Sequence, residues 1–311
     1  MTLPHVAAWR QGAKVLSLQF HVDLHHDRPS NAANCILTQI GLARALDQEP
    51  VLISQLVRLT IVGSAIGNIQ TVLRQAEIND ADLARLQEGL RKIEYVPCLK
   101  RALAGDRTFA YMSSIVAGAM PDEHSLVLNP DEARQLAERP PWRVRDAAMM
   151  FEMSLRIAEA ADQSLAAARR ESEQVDAKVQ ELAEHFLHKR LYALTLLMQL
   201  PYETTVSAFM RSVARRACAD SALAAERHRL RHGQWPPTLE QLVPEYLPAV
   251  PVDPFNDQPV KMVATAEELT IYSVGRDGDD NQGKLSIREE PHSDLGFVVP
   301  ARRGQPPQRS L

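Results

Sequence analysis

Cysteine is scarce in this chain, and its distribution excludes two kinds of protein. Cys35, Cys98 and Cys218 stand far apart in 311 residues, with no Cys-x-x-Cys pair and no Cys/His cluster. A disulfide framework and a structural zinc site are thereby excluded, and each thiol reads as a small buried side chain on a helix. A cationic surface is also lacking. The formal charge is −4, with 35 basic and 39 acidic residues mixed throughout, which argues against a nucleic-acid partner. The first residues carry no basic patch followed by an apolar run, so no export signal is expected at Met1. No apolar stretch is expected to reach the roughly 20 residues that span a bilayer. A membrane association is expected only through an anchor upstream of this chain.

Catalytic signatures are equally thin. There is no phosphate-cradling Gly-Lys-Ser loop and no dinucleotide Gly-x-Gly-x-x-Gly. Gly63-Ser64-Ala65-Ile66-Gly67 lacks the spacing of a nucleophile elbow, and its glycines sit inside a helical pattern, where they are expected to allow close helix packing. His21, Asp23, His25 and His26 are the densest group of metal-binding side chain types in the body, but no Glu stands where a His-Glu-x-x-His base would. That group is read as a solvated helix face, as are Glu184, His185 and His188. The alternative to a binding role is an enzyme with its site in a groove of the helical body, built from residues such as His21, His25 and Glu184.

What is present is helix. Leu52, Leu56, Leu59, Ile66, Ile69 and Leu73 recur at spacings of three, four and seven, which predicts a buried stripe on a helix that starts after Pro50. Asn79, with Asp82 three residues on, predicts a capped helix start before Leu83, Leu86 and Leu90, and Asn129-Pro130-Asp131-Glu132 predicts another. Gly105-Asp106 and Met120-Pro121-Asp122 read as breaks, and Pro140-Pro141 as an end or restart. From Val144 to about Gln199 two or more long helices are expected, with Val179, Leu182 and Phe186 on one apolar face, widened by Leu187, Leu191 and Leu194. No fixed-period repeat occurs. The expected class is mainly α, an antiparallel helical bundle or an irregular solenoid, over residues 1–203, followed by a bridging helix over 204–232.

At Gly233 the composition changes. Seven prolines fall between Pro236 and Pro259, a density that excludes long helices. Thr238 and Gln241 form a capping-box pattern for a short helix from Leu239 to about Val243. Residues 260–263 and 269–274 alternate as two antiparallel strands, with 297–299 as a third. Residues 233–300 are therefore expected to form a small α+β module with a short antiparallel sheet, and 301–311 a disordered tail. Trp235 is expected to pack between the module's sheet and the bridging helix, with an anchor for a partner as the alternative.

The ordered combination His232-Gly233-Gln234-Trp235-Pro236, Thr238-Leu239-Glu240-Gln241-Leu242-Val243, Pro251-Val252-Asp253-Pro254-Phe255 and Tyr272-Ser273-Val274-Gly275-Arg276-Asp277-Gly278 resembles the globular part of the major pseudopilins of type II secretion. More closely, it resembles the ends of a group of mostly helical bacterial proteins that carry the same module. The likeness covers about a quarter of the chain. It implies a calcium ion in the loop after Gly278, with Asp277 and Asp294 as carboxylate ligands. The residues add to this, since Asp277, Asp279 and Asn281 alternate as oxygen donors in a polar turn and Asp280 offers a further carboxylate; the alternative for the same run is a solvated turn whose side chains bond their own backbone. An EF-hand is excluded, because Gln282 stands where the loop needs Gly and Arg288 where it needs Glu. The resemblance also implies a place in the bacterial cell envelope and a protein partner. The cleavage motif and apolar anchor helix of a filament subunit are absent, so the expected role is non-enzymatic protein interaction.

Overall fold

The structure, a computed structural model, describes residues 4–116, 140–185, 192, 195–196, 202–285 and 293–301. The expected cap at Asn129, the break at Met120, the residues Phe186, Leu187, His188, Leu191 and Leu194, and the tail beyond Ala301 lie outside them. The helices are α1 (Pro4–His25), α2 (Pro29–Arg44), α3 (Leu52–Gln75), α4 (Asp80–Arg91), α5 (Val96–Val116), α6 (Pro140–Gln163), α7 (Leu165–Glu184) and α8 (Tyr202–His232). A 3₁₀ turn, Leu239–Leu242, and the strands β1 (Lys261–Ala264), β2 (Glu268–Ser273) and β3 (Leu295–Pro300) follow. The class is mainly α with a small antiparallel sheet, as the sequence predicts.

The chain forms two compact units. One comprises Met1–Leu3, Gln48–Leu56 and Val96–Ala208; the other comprises Pro4–Asp47, Val57–Tyr95 and Phe209–Leu311.

In the first unit α5 packs on α6 and α6 on α7. Ser164 divides α6 from α7, its hydroxyl accepting the Ala167 N–H at 3.0 Å, so the long breaker-poor segment becomes two helices. Val179 and Leu182 are buried on α7 as their spacing predicts. The break expected at Gly105-Asp106 is not observed, because α5 runs through both residues. The glycine is there for space: a Cβ on Gly105 would stand 1.7 Å from the Pro50 carbonyl oxygen. Asp106 reaches the start of α3, accepting the Leu52 N–H at 3.3 Å, and Asp176 does the same for α8 through the Glu203 N–H at 2.9 Å. Both helix starts are thus capped by carboxylates remote in sequence, which satisfy orphan donors and oppose the positive end of the helix.

In the second unit α1 packs on α2 and α2 on α4, with Ile61, Val62, Ile69, Val72 and Leu73 of α3 in the core. The Asn79 side chain accepts the Asp82 N–H at 2.9 Å, so α4 begins where its cap predicts. The expectation that no segment could span a bilayer is corrected, because α3 is long and apolar enough by length and composition. Its composition follows from burial in protein. Arg58 on α3 is wholly buried, with its Nε 2.5 Å from Asp47 and its Nη2 2.6 Å from the Glu94 carbonyl. The packing role expected of Gly63 and Gly67 is also corrected: a Cβ on Gly67 would meet nothing within 4 Å, and one on Gly63 only the Arg215 Nη1 at 3.9 Å. Ser64 between them lies 3.4 Å from the Ser17 hydroxyl and 3.5 Å from the Gln39 amide, a helix-packing contact.

The sheet belongs to this second unit and has the order β1-β2-β3, antiparallel throughout. Leu269 pairs with Val299 and Ile271 with Phe297, which places all four apolar side chains on one face, and all are buried. Gly296, opposite Tyr272, has no room for a side chain, since a Cβ would lie 2.3 Å from the Ile271 carbonyl. The run of small residues Ala217, Cys218, Ala219, Ala222, Ala224 and Ala225 on α8 is buried, and the Cys218 thiol lies 3.6 Å from the Leu295 carbonyl. Polar bonds hold the same elements together. Arg91 of α4 grips Asp220 of α8 through two nitrogens at 2.9 and 3.0 Å and donates to the Tyr246 carbonyl at 2.8 Å. The three cysteines are buried and form no disulfide with one another.

Candidate functional site

The site predicted from the sequence is the loop between β2 and β3, and its geometry begins one segment earlier. Pro251-Val252-Asp253-Pro254-Phe255 folds into a turn in which the Asp253 N–H bonds the Gln258 carbonyl at 2.7 Å and the Asp257 N–H bonds the Asp253 carbonyl at 2.9 Å. Asp257 takes the left-handed conformation, with φ 56°. The turn aims the Asp253 carboxylate inward, where it accepts the Ser273 hydroxyl at 2.9 Å, the Val274 N–H at 2.8 Å and the Phe255 N–H at 3.0 Å. Asp253 is 1% exposed, so these bonds replace its hydration. Two fragments about 20 residues apart in sequence, Asp-Pro-Phe and Tyr-Ser-Val-Gly, are therefore one latch. The charge of Asp253, after burial itself, pushes the Cys218 thiol up.

Beyond the latch the chain turns at Gly275 (φ 74°) and Gly278 (φ 77°), where the left-handed backbone favours glycine. Asp277 accepts the Asp279 N–H at 3.2 Å, and Asn281 donates to the Asp279 carbonyl at 3.3 Å. Asp294, brought back at the start of β3 and buried, accepts the Gly283 N–H at 2.8 Å and the Asn281 N–H at 3.3 Å through its two oxygens. Asp280 accepts Lys261 at 2.6 Å, the Tyr272 hydroxyl at 3.1 Å and the Gln282 N–H at 2.9 Å. Burial pushes Asp294 above the usual carboxylate range, against the pull of its backbone bonds, and the charges of Asp280 and Asp277 add to the rise. Burial and Asp280 together push Tyr272 up to about 12.

Of the four predicted ligands, Asp277 and Asp294 are drawn within electrostatic range of each other. Asn281 meets Asp294 through its backbone, and Asp279 is exposed. The donor set is all oxygen, which suits a hard cation, and the crowding of carboxylates is what a cation relieves. Against this, both Asp294 oxygens hold backbone N–H groups. Among the described residues no group of three or more His, Cys, Asp or Glu side chains is placed to share one ion. The described part of the loop thus gathers oxygen donors in one turn without a preformed cage for an ion.

The capping box expected at Thr238 does not form, since no side-chain cap bond is made and the segment tightens to a 3₁₀ turn, Leu239–Leu242. Trp235 is half-buried, and the Arg229 guanidinium of α8 lies 5.2 Å over its ring. His21, His25 and Glu184 are each exposed on their helices, whereas Asp23 is buried and bonded to Arg28 at 2.9 Å and Gln19 at 3.0 Å. Sequence reading missed a group in the first unit. Burial raises Asp106 to about 6 and Tyr202 to about 12, with the charges of Asp106 and Asp176 adding to the latter. Pairing of Asp106 with Leu52 across 54 residues leaves no local pattern to find. Comparison with protein-family models, with curated proteins and with solved structures finds no match to this chain.

Proposed function

We propose that the protein is a non-enzymatic interaction protein of the bacterial cell envelope, whose C-terminal pseudopilin-like module offers a sheet edge to a protein partner. The observation that carries this reading is the position of β1. It forms one edge of the sheet, with Val263 on β1 42% exposed and Val252 53% exposed, and on the face of Val260 and Met262 an open cleft is lined also by Pro237, Thr238, Leu239 and Glu240. An edge strand with apolar side chains beside it is a template for an extended segment of another chain. The acids next to it support the reading, because Asp253, Asp280 and Asp294 are engaged in holding turns. The envelope location rests on the resemblance of the module.

In the same reading the 277–294 loop takes calcium weakly through Asp277 and Asp294. At a dissociation constant of about 10⁻⁴ M, about 1 mM calcium stabilises the fold by about 1.4 kcal/mol, enough to order a loop and too little to drive folding.

The experiment is site-specific photo-crosslinking from Val263 and Val252 in bacterial cells, followed by fractionation. The expected result is an adduct of defined mass in the envelope fraction that is lost with a second photo-reactive chain carrying Met262→Lys. Adducts absent from both positions in a folded, expressed chain, or a chain confined to the cytosolic fraction, reject the proposal. Calcium is tested separately by calorimetry with ion and with chelator, beside Asp277→Ala and Asp294→Ala. A melting temperature indifferent to calcium in the parent chain removes the metal from the reading and leaves the edge intact.

A further inference from the structure

The last turn of α8 carries His228 and His232, one helical turn apart. Their ring centroids are 4.3 Å apart and their planes inclined by 31°. We infer that this pair is a chelating site for a divalent transition-metal ion of the imidazole-preferring class, with zinc or nickel as its probe.

Three features prepare the pair. The Nδ1 of His228 lies 3.1 Å from the Gln234 carbonyl. A carbonyl can only accept, so Nδ1 carries the proton of the neutral ring and Nε2 keeps its lone pair. This is the arrangement by which a second hydrogen bond fixes the tautomer and orientation of a metal-binding imidazole. It depends on Gly233, whose φ of 77° turns the chain at the helix end and returns the Gln234 carbonyl toward the helix. Next, the pair sits at the C-terminal end of a helix, where the backbone dipole favours positive charge. Lastly, the neighbouring cations are balanced. Arg227 is bonded to Asp80 at 2.6 Å, Arg229 to Glu226 at 2.8 Å, and Arg231 to Glu245. The Tyr246 ring stands edge-on to His228 with centroids 6.0 Å apart, and closes that side with an uncharged surface.

Two imidazoles leave the remaining coordination positions to water, since among the described residues no third His, Cys, Asp or Glu joins a group with them. His232 is exposed and His228 half-buried, so the site is open on the His232 side. The expected site is consequently of modest affinity, selective for imidazole-seeking ions over calcium or magnesium, and weakened at acidic pH because both rings must be unprotonated to bind.

The test is calorimetric titration of the full chain with zinc ion and with nickel ion. The parent is compared with His228→Ala, His232→Ala and the double variant. His21→Ala combined with His25→Ala, which removes the other histidine pair at this spacing, serves as control. The expected result is one saturable site that each single substitution weakens by at least about tenfold and that the control leaves unchanged. Retention of the parent affinity by the double variant, or absence of saturable binding in the parent, overturns the inference. Because His232 is exposed at a helix end, His232→Ala folds even where His228→Ala does not, and it then decides the outcome. Zinc-induced shifts confined to the ring resonances of these two histidines give a second, independent readout.

Discussion

Replacing Asp253 by asparagine changes one atom type and very little volume, yet the latch predicts a large effect. One carboxylate oxygen holds the Phe255 N–H and the Ser273 hydroxyl, and the other holds the Val274 N–H. An amide has one acceptor oxygen and one donor NH₂. Turned one way, the NH₂ faces the Val274 N–H; turned the other, it faces the Phe255 N–H. Either way a charge-assisted bond is lost, worth about 1.5–3 kcal/mol, and a buried donor is left unsatisfied at about 1–3 kcal/mol. The expected loss is therefore roughly 3–5 kcal/mol, a large share of the about 5–15 kcal/mol that holds a typical protein folded. Ser273→Ala removes one hydroxyl bond and leaves the charge its two backbone partners, so it costs only about 1 kcal/mol. Urea denaturation followed by circular dichroism measures both, and the Val274 amide in hydrogen exchange reports on the latch locally. An Asp253→Asn chain within about 0.5 kcal/mol of the parent refutes the argument that this carboxylate is a two-sided acceptor.

Two glycines on different helices should respond in opposite directions to alanine. Gly67→Ala meets open space and gains up to about 1 kcal/mol from helix propensity. Gly105→Ala drives a methyl into the Pro50 carbonyl and should destabilise by more than that gain, about 2 kcal/mol or more net. Thermal melts of the two variants check the pair, and equal shifts would mean the packing at Gly105 is misread. Asp106 supplies a pH test. Its folded-state pKa is raised from 3.8 to about 6 by burial, so the folded chain holds this proton more tightly than the unfolded one. Its contribution is most favourable below about 4, declines as pH rises through about 6, and stays unfavourable above. Asp106→Asn keeps an acceptor for the Leu52 N–H and carries no charge. It should gain on the order of 2 kcal/mol over the parent at pH 7, with the difference vanishing near pH 4 in parallel denaturation series. A difference constant with pH would remove Asp106 as its source.

Local rules were readable wherever cause and effect lie within a few residues. The Asn79 cap, the strand pair across residues 264–268 and the third strand before Pro300 stand where composition and alternation place them. Local rules fail where a residue's reason lies across the fold. Gly105 looked like a breaker because a glycine in a helix is locally unfavourable, and only the approach of Pro50 explains it. Gly67 looked like a packing residue, and nothing packs there. The apolar composition of α3 met the length of a membrane span only when its helix was seen whole, and the burial of Ile61, Val62, Ile69, Val72 and Leu73 in the core shows what that composition serves.

By itself the chain determined the mainly helical class, the three short strands and the change of character at Gly233, because periodicity, alternation and proline density act through neighbours in sequence. Tertiary structure decided what the charged side chains do. A carboxylate such as Asp253, Asp294, Asp106 or Asp220 acquires its role from a donor 11 to 129 residues away, at a distance of about 3 Å that the order of residues does not encode.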